Sequence, residues 1–426
     1  VMISFASLFV GLVFGIVNVQ LVAAAGVDRV DLFLDGKQVA ELRAPFMTAV
    51  DIGCEPAPHE LVAVAYDAKG KRLEQVRQWV NRPRPTAEAS LVLEPGRGDQ
   101  GRIAHLTWRS LTGEVPKAVA VTFDGRPVPV TDPSRIEVPP HDPRQVHSLR
   151  ARLDFEGNVS ASTEVIFGGP RTTEVFTEMT AVSVVLDEGR TLPPAGELAG
   201  WFEKDGRPLE VAAVEEGPSD VVFVCEGSVL AQLQKVFQYR TDPYKPGLPD
   251  DLSFRFVWPV GQIASQATMS SNLYPSTRRM TIADGNVSWV AGKRLIWPAW
   301  TRSGQRIADA VAVAALAAAE EERRRAVVLL LGPDAADGSL LTPREVVDFL
   351  AKLRVPLHVW SIGKKPSPEA PRWGGGTSLA NARQFDAAVA GLVQSLSRQR
   401  IVWVEGTHLP QDVIPATSAA GISLAR

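Results

Sequence analysis

The sequence predicts a multidomain chain: two β-sandwiches followed by a doubly wound, mostly parallel α/β domain of Rossmann-like layout. Three observations predict this. Its 426 residues exceed what one ordinary core holds, so two to four domains are expected. Up to about residue 170, short runs of alternating apolar and polar residues are punctuated by Asp-Gly pairs, the pattern of antiparallel strands and tight turns. Beyond that point, Ala- and Glu-rich helical stretches alternate with wholly apolar runs, the rhythm of a parallel sheet with helices on both faces.

Residues 1–25 carry no charge, and the first ionisable side chain is Asp28. That length suits a signal or membrane anchor, with Ala23-Ala24-Ala25 as a small-residue cleavage site. No basic residue precedes the apolar run, however, and Val17-Asn18-Val19-Gln20-Leu21 alternates like a half-buried strand. A first β-strand is therefore the preferred reading, with the targeting segment as its alternative.

In the first module (1–82), Val30–Leu34 and Lys37–Leu42 flank Asp35-Gly36, a pair that supplies the positive φ angles of a type I′ hairpin turn. Leu61–Asp67 before Lys69-Gly70 is a second strand and turn. Arg82-Pro83-Arg84-Pro85 breaks helix and ladder alike and reads as a linker. In the second module (83–170), Ala118–Phe123, Asp124-Gly125 and Arg126–Val130 repeat the first hairpin, and Ser148–Phe155 turns at Glu156-Gly157-Asn158. The order and spacing of "DGK" and "AVAYDAKGK" in the first module resemble a bacterial immunoglobulin-like domain, and the second module resembles it more weakly.

From 171 to 410 the pattern changes. Thr180–Leu186 and a hairpin at Asp205-Gly206 come first, and Val221–Val224 is then a buried strand. Arg306–Arg325 reads as a helix running into the apolar strand Ala326–Leu331. Pro343 marks a helix start, Leu357–Ile362 is the next strand, and Gln384–Leu396 is a helix before the strand Ile401–Val404. Residues 411–426 are expected as a C-terminal tail.

The segments Phe202–Pro208, Ser219–Val224, Arg325–Leu330 and Val355–Gly363, in this order, resemble a von Willebrand factor type A domain of the kind found in acidobacterial secreted proteins. The resemblance implies a metal-ion-dependent adhesion site at the carboxyl end of the first core strand, where such sheets open to ligands. Its Asp-x-Ser-x-Ser motif reads Glu226, Ser228 and Leu230 here, and its threonine position holds Gln305. The second acidic loop offers Asp334 or Asp337. Glu226, Ser228, Asp334 and Asp337 are thus the candidate metal residues, while Leu230 and Gln305 stand where ligands are lost. An octahedral Mg²⁺ shell needs more protein oxygens than this, so no cofactor is the expected state, with Mg²⁺ the cation of the alternative.

Composition narrows the partners. A net charge of −3 gives no electrostatic case for nucleic acid or an anionic membrane, so a protein partner is expected, and a membrane only if 1–25 is an anchor. Cys54 and Cys225 fall in different predicted domains and imply neither a disulfide framework nor a Cys metal site. Neither cysteine decides the compartment; the resemblance implies a periplasmic or extracellular one.

Several motifs have plain structural readings. Arg97-Gly98-Asp99 is a turn before it is an adhesive tripeptide. The six histidines lack metal-ligand spacing, and Gly374-Gly375-Gly376 lacks the lysine of a phosphate loop and reads as a loop at the sheet edge. Ser228 lacks the second glycine of a nucleophile elbow, which ranks a hydrolase using Ser228 or Cys225 last. The aromatic-rich stretch from Pro243 to Trp300, with a hairpin at Asp284-Gly285-Asn286, reads as an elaborated sheet edge or a binding surface. The resulting expectation is a non-enzymatic binding or scaffold protein with a degenerate adhesion site; the alternative is an Mg²⁺-dependent adhesin.

Overall fold

A computed structural model describes residues 3–7, 9, 12–82, 87–93, 103–110, 115–124, 126–141, 146–155, 160–168, 179–193, 195–237, 252–260, 274–277, 279–281, 304–320, 322–417, 419 and 421–425. They fall into two compact units, one of Val1–Pro83, Thr180–Val404 and His408–Arg426, the other of Arg84–Met179 with Glu405–Thr407. The linker from 83 to 86, the Arg97-Gly98-Asp99 turn, the Asp284-Gly285-Asn286 hairpin, and Tyr244, Trp289, Trp297 and Trp300 lie outside the described residues.

The first module builds β1 (Ile3–Phe5), β2 (Ile16–Ala23), β3 (Arg29–Leu34), β4 (Lys37–Leu42), β5 (Met47–Asp51), β6 (His59–Tyr66) and β7 (Arg72–Val80). They form antiparallel sheets of order β1-β2-β5 and β4-β3-β6-β7, whose inner faces meet over Ile3, Val19, Leu21, Leu32 and Leu61. The alternation in residues 17–21 is that of a strand packed on one face: Val19 and Leu21 are buried, Asn18 and Gln20 exposed. Asp35 and Gly36 have φ of 50° and 77°, as the type I′ turn requires.

The second module builds β8 (Ala87–Leu93), β9 (Ile103–Ser110), β10 (Ala118–Phe123), β11 (Arg126–Val128), β12 (Ile136–Glu137), β13 (Val146–Asp154) and β14 (Ser160–Gly168). Its sheets, β12-β9-β8 and β11-β10-β13-β14, enclose Leu91, Leu106, Val121, Leu149 and Leu153. The repeat extends to side chains. His59 Nδ1 lies 2.7 Å from Asp35 Oδ2 in the first module, and His147 Nδ1 lies 2.7 Å from Asp124 Oδ2 in the second.

A third sandwich follows, made of β15 (Met179–Leu186), β16 (Phe202–Lys204), β17 (Arg207–Leu209) and β18 (Val211–Glu215). Asp205 and Gly206 make the β16–β17 turn with φ of 51° and 73°. The chain then enters the α/β layer through β19 (Ser219–Cys225), α1 (Val229–Phe237), β20 (Leu252–Val257) and β21 (Met280–Thr281). It continues with α2 (Ile307–Ala318), β22 (Arg324–Leu331), α3 (Pro343–Leu353), β23 (Leu357–Ile362), β24 (Thr377–Leu379) and α4 (Ala382–Ser397). The sheet order is β21-β20-β19-β22-β23-β24, parallel except for β21.

Because β19 and β22 are buried on both faces, their residues read as continuous apolar runs, and alternate side chains feed opposite cores. Val222, Val224, Val327 and Leu329 pack under α2 and α3. Val221, Phe223, Val328 and Leu330 pack under α1 and α4 with Phe254 and Phe256. A capping box between Thr342 and Glu345, with Pro343 at the first position, starts α3 where the proline predicts it. Gly374 and Gly375, with φ of 85° and 107°, form the loop that leads into the edge strand β24.

Two expectations are corrected at the carboxyl end. The strand expected at 401–404 does not continue the parallel sheet. As β25 (Gln399–Glu405) it pairs antiparallel with β18 in a sheet of order β18-β25-β15-β27. Residues 411–426 are not merely a tail: β26 (Ile414–Pro415) pairs with β16 and β27 (Ile422–Leu424) with β15. Val182, Val184, Phe202, Val402, Val404 and Val413 share one core, so the α/β layer is an insertion between the two halves of this third sandwich. Hydrophobic alternation reveals a strand but not its neighbour, and this made β25 look like a further parallel strand.

Candidate functional site

β19 is the strand at which the order reverses: α1 carries the chain to β20 on one side, while β22 lies on the other. In an open α/β sheet, the carboxyl ends of strands at such a switch point flank the crevice where ligands bind. Glu226 immediately follows β19 there, with only 1% of its surface exposed.

Its carboxylate is closed in by donors from three segments. Oε1 accepts Ser228 N–H at 2.8 Å and Gln305 Nε2 at 2.9 Å. Oε2 accepts Ser228 Oγ at 2.6 Å and Gly332 N–H at 3.0 Å. Gln305 also accepts Gly227 N–H through its side-chain oxygen at 2.8 Å, so one amide ties the β19–α1 loop to the segment before α2. Together these bonds supply the polar partners that a buried carboxyl group needs. Gly332 is there for steric reasons: a Cβ on it would overlap Ser228 Oγ and stand 2.9 Å from Glu226 Oε2.

Of the sequence-predicted residues, Glu226 and Ser228 are brought together; Asp334 and Asp337 are not part of that bonded set. Asp334 is exposed on the turn after β22. Asp337 Oδ1 accepts Ile307 N–H at 2.8 Å, capping the first turn of α2, and Ser339 N–H and Oγ at 3.0 and 2.5 Å. Leu230 falls in the first turn of α1. Gln305, read from sequence only as a lost ligand position, is 6% exposed and bonds Glu226 directly. Among the described residues, no group of three or more His, Cys, Asp or Glu is placed to hold a metal ion.

Two contributors were not legible as site residues. Asp309, largely buried, accepts Leu341 N–H at 3.0 Å and Leu340 N–H at 3.2 Å, fastening the loop after β22 to α2. An acidic residue in a helix's first turn was its only sequence signal. Tyr274 packs beneath the same helix; burial first, then Asp309, pushes its hydroxyl up to about 12. Gly332 was marked only as the first residue of the Gly332-Pro333-Asp334 loop that follows an apolar strand.

Cys225 points the other way from Glu226, into the core under α1. Burial, reinforced by the neighbouring Glu226 charge, pushes its thiol well above the ordinary value, so it is protonated at neutral pH. Ser228 Oγ donates to a carboxylate oxygen rather than to an imidazole base.

No protein-family model and no curated protein matches the chain. Similar solved structures include the fibronectin(III)-like modules of Clostridium thermocellum CbhA, at 20% identity over 18% of this chain and 93% of that one, with a TM-score of 0.17. The central fibronectin-III array of RIM-binding protein matches at 8% identity over 49% of this chain and 78% of that one, with a TM-score of 0.23. SGBP-B of the Bacteroides ovatus mixed-linkage glucan utilization locus, in complex with a heptasaccharide, matches at 11% identity over 49% of this chain and 58% of that one, with a TM-score of 0.15. With scores this low, nothing about the action of this chain is inferred from them.

Proposed function

We propose that this chain is a non-enzymatic protein-binding or scaffold protein of the cell envelope or extracellular space. In this reading the α/β layer is a divergent von Willebrand A-like domain carried on β-sandwich modules, and its adhesion-site position holds hydrogen bonds instead of a cation. The observation that carries the reading is the enclosure of Glu226, whose oxygens are bonded by Ser228, Gln305 and Gly332. A Mg²⁺ ion at that carboxylate would have to displace the Gln305 amide, which adds the cost of unpairing buried polar groups to that of dehydrating the ion. The sheet order, the switch-point location of Glu226 and the protonated Cys225 thiol support the same reading. Fold alone does not fix function, so the binding role is tested at the crest of the sheet, the loops at the carboxyl ends of β19 and β22.

A thermal melt of the full chain with and without millimolar MgCl₂ or MnCl₂ is the direct test. A cation that binds the native state must raise the melting temperature, so an unchanged melt is expected. A rise of several degrees that disappears in Glu226→Ala would overturn the reading in favour of the Mg²⁺-dependent adhesin. For the binding role, envelope proteins retained by the wild-type chain are expected to be lost with Asp334→Lys, a substitution at an exposed crest position. Equal retention would remove the crest as the binding surface.

A further inference from the structure

The two sheets of the first module turn unlike faces outward. On the β4-β3-β6-β7 sheet the outward side chains form ion pairs, Arg29 with Asp31 and Glu41, and Arg77 with Glu60, as a solvated face does. On the β1-β2-β5 sheet, the alternation that buries Val19, Leu21 and Val50 sends Ser4, Ile16, Asn18, Gln20, Val22, Met47, Ala49 and Asp51 outward. Asp51 is the one charged side chain among them, and its Oδ1 accepts Gly53 N–H at 2.9 Å beyond the strand end. Ile16 is 75% exposed, Val22 58% and Met47 55%. Single exposed apolar residues are ordinary, but three of this size on one nearly uncharged sheet face mark an interaction surface.

The order of residues on this face says what covers it. Along β2 the outward positions read apolar, amide, amide, apolar in Ile16, Asn18, Gln20 and Val22, a pattern that is chemically the same in both directions. A two-fold axis in the plane of the face, perpendicular to β2 and level with Val19, therefore sets Ile16 against Val22 of a second copy and Asn18 against its Gln20. Met47 lies beside Gln20 and Ala49 beside Asn18 in the β2–β5 register, so the same rotation sets Met47 against Ala49, a large side chain over a small one. Asp51 lies beside Ile16, which keeps the two Asp51 carboxylates at opposite ends of the contact.

We propose that two copies of this chain associate through the β1-β2-β5 faces of their first modules, with β2 antiparallel to β2 of the other copy about this axis. Sheets pack face to face with their strands nearly aligned, which this arrangement satisfies. The facing amides supply each other's donors and acceptors, while the apolar ends leave water. A face of three short strands makes a small interface, so the dimer is expected to dissociate in the micromolar range. The contact does not involve the Glu226 crest.

Sedimentation velocity of the full chain, from low to high micromolar concentration, is the test. A reversible monomer–dimer equilibrium is expected. Ile16→Glu and Val22→Lys each set an unpaired charge against an apolar side chain and should weaken the dimer about 10-fold or more. Mixed in equal amounts, the two variants should dimerise again, because the axis sets the introduced carboxylate against the introduced ammonium. Both positions are exposed, so the module's fold does not depend on them. If either variant fails to fold, Met47→Asp mixed with Ala49→Lys makes the same comparison across the same axis. A chain that stays monomeric overturns the proposal, whatever else binds this face. So does a dimer that both single variants leave unchanged, and so does a mixture that fails to recover.

Discussion

The side-chain amide of Gln305 bridges two groups at the switch point, donating to Glu226 Oε1 at 2.9 Å and accepting Gly227 N–H at 2.8 Å. Gln305→Ala leaves a buried carboxylate oxygen and a backbone N–H each short of this partner, so a loss of about 1–3 kcal/mol is expected in urea unfolding. Gln305→Glu places a second carboxylate against Glu226. That variant, unlike the wild type, should gain thermal stability on addition of millimolar Mg²⁺, since the cation would then relieve like-charge repulsion.

Gly332 and Ser228 are coupled through space. Gly332→Ala drives a Cβ into Ser228 Oγ, and overpacking of this kind costs about 1–3 kcal/mol. Ser228→Ala removes the clashing atom along with its bond to Glu226. Unfolding measurements should therefore show the double variant less destabilised than the sum of the single ones.

Asp220, at the foot of β19 and 1% exposed, bonds Arg255 Nη2 at 3.1 Å, Arg279 Nη2 at 3.2 Å and Ser253 Oγ at 2.8 Å. Burial pushes its carboxyl up, but the two guanidinium groups and the hydroxyl outweigh it and hold the group below its ordinary 3.8. A depressed carboxyl contributes stability above its unfolded value and loses it as pH falls through the folded one. Asp220→Asn, which leaves two cations without this counter-charge, should cost about 3–5 kcal/mol at pH 7. The stability gap between wild type and variant should shrink once the pH falls below 3.8.

Asp35 serves both as a turn residue with φ of 50° and as the partner of His59. Asp35→Ala loses the side-chain bond and strains the positive-φ backbone, for a combined loss of about 2 kcal/mol. Asp35→Asn, which tolerates that backbone and keeps an oxygen near the imidazole, should recover more than half of it in the same thermal or urea melts. Equal losses for the two variants would mean that neither backbone nor bond accounts for the aspartate.

Arg354 closes α3 in the left-handed region, with φ of 58° and ψ of 47°, where glycine is the usual residue. Its guanidinium donates to the carbonyl oxygens of Pro410, Gln411 and Val413. Arg354→Gly should therefore destabilise the chain despite the easier backbone, and hydrogen exchange should quicken at residues 410–415.

Much of the fold was legible because it is written locally. Asp35-Gly36 and Asp205-Gly206 specify their hairpins through φ angles that few other residues adopt, and Pro343 with Thr342 and Glu345 specifies a helix start. The runs Val221–Val224 and Ala326–Leu331 specify strands covered on both faces. At the candidate site, Glu226 and Ser228 could be found because they directly follow such a strand. Asp337 could not be placed, because whether it faces Glu226 or caps α2 depends on a loop whose course is set by Asp309, itself about thirty positions away in sequence.

The sequence by itself determined the two leading β modules, the Asp-Gly turns, the apolar strands of the α/β layer and the acidic residue Glu226 at the end of one of them. Only the tertiary structure decided that Gln305 bonds Glu226 across 79 positions of sequence, that Gly332 must lack a side chain, and that β25 returns to β18. The reason is physical. Propensity and periodicity act between near neighbours, whereas the partner of a buried carboxylate or of a strand edge is chosen by which distant segments pack together.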